Sequence, residues 1–451
     1  MRVQEFTQAD LEARLSAGPL PGNLANAMRS IHTCGDAREQ LEQTQRVLVR
    51  LQQYIEGLRT ATKANLCRDL YEGMLIGHIQ AISSTLRAQV PRVTVPYMEA
   101  RDLVADILYR GIRHKTGSPH RKVNDLWGDE DEPLFTAGKL TRTQAQGKDS
   151  HGSIRGLRYD EAIRTGAINP AGRVEVTSKK KGALGVDGGK QFGQVVAQML
   201  MQNGLERMKD GGQGAIILIA RNANHAGRAQ HIVEPAVEKG FACHVAMNVT
   251  EPGHRTALEP DGTEAFIGTN PHGYGIPTMD ETGNLYCEGA TTETTEGNCK
   301  VSSDNGLPVP YGFVHTHDRR PTTDPGVLYR SGKKGFVLPH GSDYSRYKGG
   351  MFGIGVELFV DAASGATEHE VLVPAGNNIF ATICEVGKET HQLLSQRVAA
   401  MANSPTVSHE PVRLPSRQGK RKLEEARQSG VTIAEKTWNM LLKRQQELRR
   451  E

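Results

Sequence analysis

The apolar residues of this chain change period along its length, and those changes divide it. In the first 90 residues Leu41, Leu48 and Ile55 recur every seventh position, with Leu51 and Leu58 between them. One apolar stripe then runs along a helical segment, short for a coiled coil and expected to pack as a hairpin, with a dimerisation arm as the alternative. Leu103, Ile107 and Leu108 share one face of a helix over residues 99–110. Residues 113–148 lose that periodicity and carry an acidic patch after Trp127, which predicts a long loop or insertion. Beyond Asp149 strand-like and helix-like runs alternate. Residues 214–220 are continuously apolar, as expected of a strand buried on both faces, and 241–247 is strand-like. Helical patterns cover 192–209, 229–239 and 351–363. After Pro405 a loop holding prolines 411 and 415 leads to a basic helix from Thr432 to the end. Helices and strands mixed around one core give an α/β class.

Composition narrows the function classes. A chain of 451 residues that is 37% hydrophobic has room for two or three domains with real cores. A net charge of +4 is slight for this length, so no nucleic-acid partner is implied. The basic residues gather near 417–422 and 443–450, a pattern usual for solvated helix faces. No apolar run approaches the roughly 20 residues of a membrane span, and the opening MRVQEFTQADLEARL lacks a signal-peptide core. Six cysteines stand far apart without a CxxC pair, which argues against a metal ribbon or disulfide framework. A soluble, cytoplasmic protein without membrane or metal partners is the expectation.

Candidate chemistry begins at Asp149-Ser150-His151-Gly152-Ser153-Ile154-Arg155. If the helix through Tyr159 and Ile163 starts at Gly152, His151 and Arg155 point into one cleft. A neutral imidazole exchanges a proton near pH 7, and a guanidinium grips a carboxylate with two parallel hydrogen bonds. The alternative is a solvated helix start, capped by Ser150. Asn222-Ala-Asn-His225-Ala-Gly227 follows the strand at 214–220, where α/β proteins place ligands. His225 is either a second acid/base group or a turn residue. Gly268-Thr269-Asn270-Pro271 is a rigid turn that exposes backbone. Tyr347-Lys348-Gly349-Gly350 makes a glycine-rich helix entrance suited to an anion. The glycine clusters at 185–193 and 210–214 fit neither the spacing nor the strand-turn-helix context of a dinucleotide fingerprint, so a Rossmann fold is rejected.

Taken in order, these segments resemble the malate/L-lactate dehydrogenase-type family of NAD(P)-dependent oxidoreductases, which includes ureidoglycolate and sulfolactate dehydrogenases and imino acid reductases. The motifs are Asp149 to Arg155 with Tyr159 and residues 166–170, Val186-Asp-Gly188, 222–227, 266–271, Pro321-Thr-Thr-Asp-Pro325, Tyr347-Lys348-Gly349, and 412–415 with 429–431. The resemblance spans about residues 92–112 and 149–450, with no counterpart for the first 90 residues or the 113–148 insertion. It implies a non-Rossmann sheet-and-helix cofactor domain and a homodimer. The expected division is a helical extension over 1–90, a substrate domain beginning over 91–220, a cofactor-binding domain over 221–375 and a C-terminal segment over 376–451. By resemblance His151 and His225 are catalytic, and Ser150 and Arg155 bind substrate. Gly268, Thr269, Asn270, Pro271, Glu288, Thr292, Tyr347, Lys348 and Arg417 contact NAD or NADP. Val249, Glu288, Asn298 and Arg417 depart from the family pattern, and Arg417 adds charge suited to a 2′-phosphate. The implied reaction is hydride transfer at C2 of a small 2-oxo or 2-hydroxy acid. A cyclic imino acid is the alternative substrate, suggested by Val233-Glu-Pro, and a non-catalytic scaffold is the alternative class.

Overall fold

The computed structural model describes residues 46–47, 90–125, 129–211, 214–250, 255–258, 262–278, 283–341, 345–365, 376–406 and 412–451. The helical extension expected over 1–90 lies outside the described residues, apart from positions 46 and 47. The chain enters β1 (Arg92–Val95), then α1 (Tyr97–Thr116), α2 (Glu132–Ala145), a 3-10 turn (Asp149–His151) and α3 (Arg155–Thr165). β2 (Glu175–Lys180), β3 (Ala183–Asp187), α4 (Gly193–Gly211), β4 (Ala215–Ala223) and α5 (Ala229–Val237) follow. Next come β5 (Ala242–Val249), β6 (Thr256–Ala257), β7 (Ala265–Ile267), β8 (His272–Ile276), β9 (Leu285–Gly289) and α6 (Glu296–Asp304). Short strands β10 (Val314–His315), β11 (Pro321–Thr322) and β12 (Phe336–Val337) lead to α7 (Arg346–Ser364) and β13 (Asn377–Cys384). The chain closes with α8 (Lys388–Ala402), α9 (Arg417–Ser429), β14 (Val431–Ala434) and α10 (Glu435–Arg450).

These residues form two compact units. The larger comprises Arg92–Asn298 and Pro339–Glu451, and the smaller includes Cys299–Leu338. In the larger, seven strands run in the order β2-β3-β4-β13-β5-β8-β9. Only β3 and β4 are parallel neighbours; the other pairs are antiparallel. That order is not doubly wound, in keeping with the rejected fingerprint. Leu200, Leu218, Val233, Val245 and Ile379 bury the sheet face beneath α4 and α5. Each such side chain contributes roughly 1.5–3 kcal/mol of burial. Helix α4 comes close because Gly204 stands where a Cβ would sit 2.6 Å from Leu218.

Beside the sheet, α1, α2, α3 and α10 make a helical layer around Ile107, Leu140, Tyr159 and Leu441. β1 and β14 pair antiparallel, joining the beginning of the larger unit to its C-terminal part: Val95 lies opposite Val431. In the smaller unit β10 pairs with β11 and β12 over a core of Cys299, Val309, Val314 and Leu328. Asp324 of the Pro321–Pro325 motif accepts a hydrogen bond from Gly326 N at 2.7 Å and starts a 3-10 turn there.

Three expectations need correction. Residues 113–148 are not a long loop: they hold the end of α1 and the whole of α2. Asp131 caps that helix by accepting from Leu134 N at 3.2 Å, Pro133 occupies its first turn, and Ala137 and Leu140 are buried. Its polar Thr136, Thr141 and Gln144 are buried too, which hid the amphipathic pattern. The strand at 214–220 is not buried on both faces, for Ile216, Leu218 and Ala220 are covered while Ile217 is 41% exposed. Finally, the C-terminal basic helix begins at Glu435. Val431–Ala434 is strand β14, and Arg417–Ser429, expected to be loop, is helix α9.

Candidate active site

The segment 149–155 is fixed by partners distant in sequence. Asp149 receives Arg92 of β1 at 2.5 Å and Gln144 Nε2 of α2 at 2.5 Å. The same Gln144 amide donates to Thr432 O at 3.1 Å and its oxygen accepts from Ser153 N at 3.3 Å. Gly152 is required here because a Cβ would meet Gln144 Oε1 at 2.3 Å and Gln144 Cα at 3.1 Å. The helix therefore starts at Arg155, one 3-10 turn later than the sequence suggests. Both His151 and Arg155 still face one cavity.

That cavity has a volume of about 450 Å³ and is lined by His151, Arg155, Arg158, Tyr159, Asn224, His225, Met247, Val249, Arg255, Thr269, Asn270, Pro271, Glu296 and Asn377, among others. The His151 and His225 rings lie 5.4 Å apart between centroids. Tyr159 holds His225. Its hydroxyl is 2.8 Å from His225 Nδ1, donates to His225 O at 3.1 Å, and accepts from Gln194 Nε2 at 2.7 Å. Ser150 Oγ is 3.0 Å from His151 Nδ1 and plays the same part for that ring. Gly193 lets α4 approach the loop behind His225, since a Cβ there would lie 2.1 Å from Asn224 O.

Burial dominates the electrostatics. It pushes the His151 imidazole down to about 3, assisted by the charges of Arg155, Arg228 and Lys148. His225 is pushed well below the ordinary histidine range by burial, then by Arg155 and His151. Burial raises the Tyr159 phenol to about 12 against the opposing effects of Gln194 and Arg155. Both imidazoles are therefore neutral near pH 7, each with a lone pair available for a proton. Arg155 donates from Nε to Ser150 O at 2.9 Å and reaches Glu296 at 3.4 Å.

The 268–271 turn forms the opposite wall. Asn270 adopts φ 37°, a left-handed conformation that must be held in place. Its amide donates to Gly353 O and to Glu357 Oε2, each at 2.8 Å. Gly268 N donates to the same carboxylate at 3.1 Å, and Thr291 N donates to Thr269 O at 3.0 Å. Gly268 is also a steric necessity, because a Cβ would meet Val249 Cγ1 at 2.3 Å. Val249, Met247 and Pro271 give this wall an apolar surface beside the histidines.

The structure thus brings His151, Arg155, His225, Thr269, Asn270 and Pro271 to one cavity, with Ser150 and Gly268 directly behind it. Glu288, Thr292, Tyr347, Lys348 and Arg417 do not line it. Glu288 accepts from Arg228 Nε at 2.7 Å and from Gln230 N at 2.8 Å. Thr292 donates to Thr294 O at 2.7 Å, and Tyr347 is 55% exposed. Sequence reasoning missed Gln144, Gln194, Glu296 and Glu357. A glutamine or glutamate on a helix carries no local mark of what it touches. Among the described residues no group of three or more histidine, cysteine or acidic side chains is placed to hold a metal ion, and no helix is long and apolar enough to cross a membrane.

Comparison with known proteins identifies the family. A family model described as malate/L-lactate dehydrogenase matches residues 129–442, so residues 129–148, expected to have no counterpart in that family, do have one. The malate dehydrogenase of Pyrococcus horikoshii is 30% identical over 246 residues, which are 54% of this chain and 65% of that protein, just under two thirds. The L-lactate dehydrogenase of Cupriavidus necator is 28% identical over 253 residues, 55% of this chain and 70% of its own. The crystal structure of delta1-piperideine-2-carboxylate reductase from Pseudomonas syringae superposes with a TM-score of 0.63 at 21% identity. It covers 79% of this chain and 99% of that one, a likeness of fold.

Proposed function

The chain belongs to the malate/L-lactate dehydrogenase family, and on that premise we propose that it is an oxidoreductase acting at C2 of a small 2-oxo or 2-hydroxy acid with NAD or NADP. The observation that carries this reading is the convergence of two neutral imidazoles and a guanidinium on one cavity walled by the 268–271 turn. Arg155 would hold the substrate carboxylate through its outward N–H groups. His151, neutral and fixed by Ser150, is set to accept the hydroxyl proton in the oxidative direction. A carboxylate arriving on Arg155 offsets the positive charge that helps keep His151 unprotonated, so the imidazole more readily carries the proton needed for reduction. His225, oriented by the Tyr159 and Gln194 relay, borders the same reacting atoms and is the second acid/base candidate.

The nicotinamide end of a dinucleotide fits this cavity. Met247, Val249 and Pro271 offer an apolar face for a flat ring, and the buried Asn270 Oδ1 on that wall has no hydrogen-bond partner among the described residues. These residues, with Gly268 and Thr269, would hold it; when bound, the cofactor supplies the hydride donor or acceptor. Glu288, Thr292, Tyr347, Lys348 and Arg417 are assigned to the remoter parts of the dinucleotide, and residues 221–375 to the cofactor-binding part of the chain. A homodimer belongs to the same proposal. Met351, Phe352, Leu358 and Phe359 of α7 are each more than half exposed, an apolar face that a second copy would cover.

The test is nicotinamide absorbance followed with each cofactor separately, against a panel of 2-oxo acids and of piperideine and pyrroline carboxylates. Turnover of 2-oxo acids is expected. Turnover of the cyclic imines alone would transfer the assignment to imino acid reduction. Absence of turnover, with no NADH or NADPH bound in a fluorescence titration to millimolar levels, would leave a scaffold.

A further inference from the structure

We propose that Glu296 is a specificity-determining residue, one that reserves this cavity for acids with a single carboxylate by engaging the second guanidinium a dicarboxylate would need. The inference rests on the acid-binding reading of Arg155 given above. Glu296 opens α6, and its carboxylate lies 3.4 Å from Arg155 Nη2 and 3.9 Å from Arg158 Nη2. Its place is fixed by packing. The next residue is Gly297, where a Cβ would meet Arg155 Nη2 at 2.5 Å and Ser150 O at 2.8 Å, so the start of α6 lies directly on the substrate arginine. Thr295 Oγ1 accepts from Asn298 N at 3.2 Å and holds that helix start. An acidic side chain in the first turn is also favoured by the helix dipole.

The cavity lining carries three guanidiniums, on Arg155, Arg158 and Arg255, and two carboxylates, on Glu161 and Glu296. A second carboxylate would enter beside Glu296 and find Arg158 already shared between Glu296 and Glu161, the latter at 3.3 Å. The like charge of Glu296 acts against that substrate, which is how a site rejects a near relative of its ligand. A substrate whose remaining part is apolar, neutral or cationic meets no such penalty.

The experiment compares kcat/KM for oxaloacetate with kcat/KM for 2-oxobutyrate in the wild-type protein, Glu296→Gln, and Glu296→Gln with Arg158→Gln. Glu296→Gln should raise the ratio by about 10- to 100-fold, the scale of one nearby charge in a partly buried site. Adding Arg158→Gln should remove most of that gain. A ratio unchanged in Glu296→Gln, or both constants falling together as a misplaced helix would cause, overturns the proposal. Calorimetric titration with succinate and butyrate reads the same selectivity without turnover. Tighter succinate binding by at least tenfold in Glu296→Gln, in a protein that turns over no acid, would leave this inference standing and sink the proposed reaction. No gain in succinate binding would overturn the inference whatever the reaction.

Discussion

Two segments of this chain bring glycine and a cation to the start of a helix, at 149–155 and at 347–350, and their fates differ. The first is clamped by Arg92, Gln144 and Thr432, and its histidine and arginine end in the cavity. The second starts α7, where Gly349 packs closely enough that a Cβ would lie 2.3 Å from His340 O. Yet Tyr347 is more than half exposed, and Lys348 lies 5.9 Å from its ring, outside that cavity. Local sequence makes both look like anion sites. Burial by remote partners gives only the first a desolvated histidine beside an arginine, and desolvation is what makes a proton-transfer group sensitive to its neighbours.

The sharpest way to break this comparison is His151→Ala. Loss of a positioned proton-transfer group should lower turnover by about 10²–10⁴-fold while NADH and NADPH affinity, read by fluorescence titration, changes little. Turnover within a few-fold of wild type would remove His151 from the chemistry. Next in size, Arg155→Leu should raise the substrate KM by roughly 100-fold, the worth of a lost bidentate contact, with a smaller effect on kcat. Steady-state kinetics with saturating cofactor would show the reverse pattern if Arg155 only braced Ser150.

Acid stability sharpens the comparison from another side. The folded-state pKa of His151 is depressed to about 3, so between about 6.5 and 3 the unfolded chain binds the proton that the folded one refuses. Stability is present above that window and is lost as pH falls through it, by about 1.4 kcal/mol per pH unit for each such histidine. His151→Gln should flatten the slope of unfolding free energy against pH by about one proton in chemical denaturation. An unaltered slope would mean that the imidazole is solvated. The smallest effect belongs to the second helix start. Lys348→Ala should leave the substrate KM within about twofold, any larger change being confined to cofactor affinity. A large rise in substrate KM would place Lys348 in the acid-binding site after all.

Much of the α/β architecture was legible because its elements bury one face and show the other. The periodicity at 192–209 and 351–363 became α4 and α7, with ends shifted by a few residues. The misreadings have a common cause. Helix α2 buries threonine and glutamine, β4 leaves Ile217 exposed, and α9 buries only Leu423 and Ala426, so polarity and burial diverge in all three. Hydrophobic pattern reports on burial only where apolar residues do the burying.

The residue types and their order along the chain determined the chemistry on offer: a histidine and an arginine four apart, a second histidine after a strand, and a glycine-rich turn before a proline. Those depend on local spacing, which sequence states directly. Tertiary structure decided the rest. It brought His225 and His151 to ring contact across 74 positions, set Glu357 of α7 under the Asn270 turn, and delivered Glu296 to Arg155 from 141 residues away. Such contacts arise from how packed helices and sheets cross, and nothing in the neighbouring sequence of either partner encodes them.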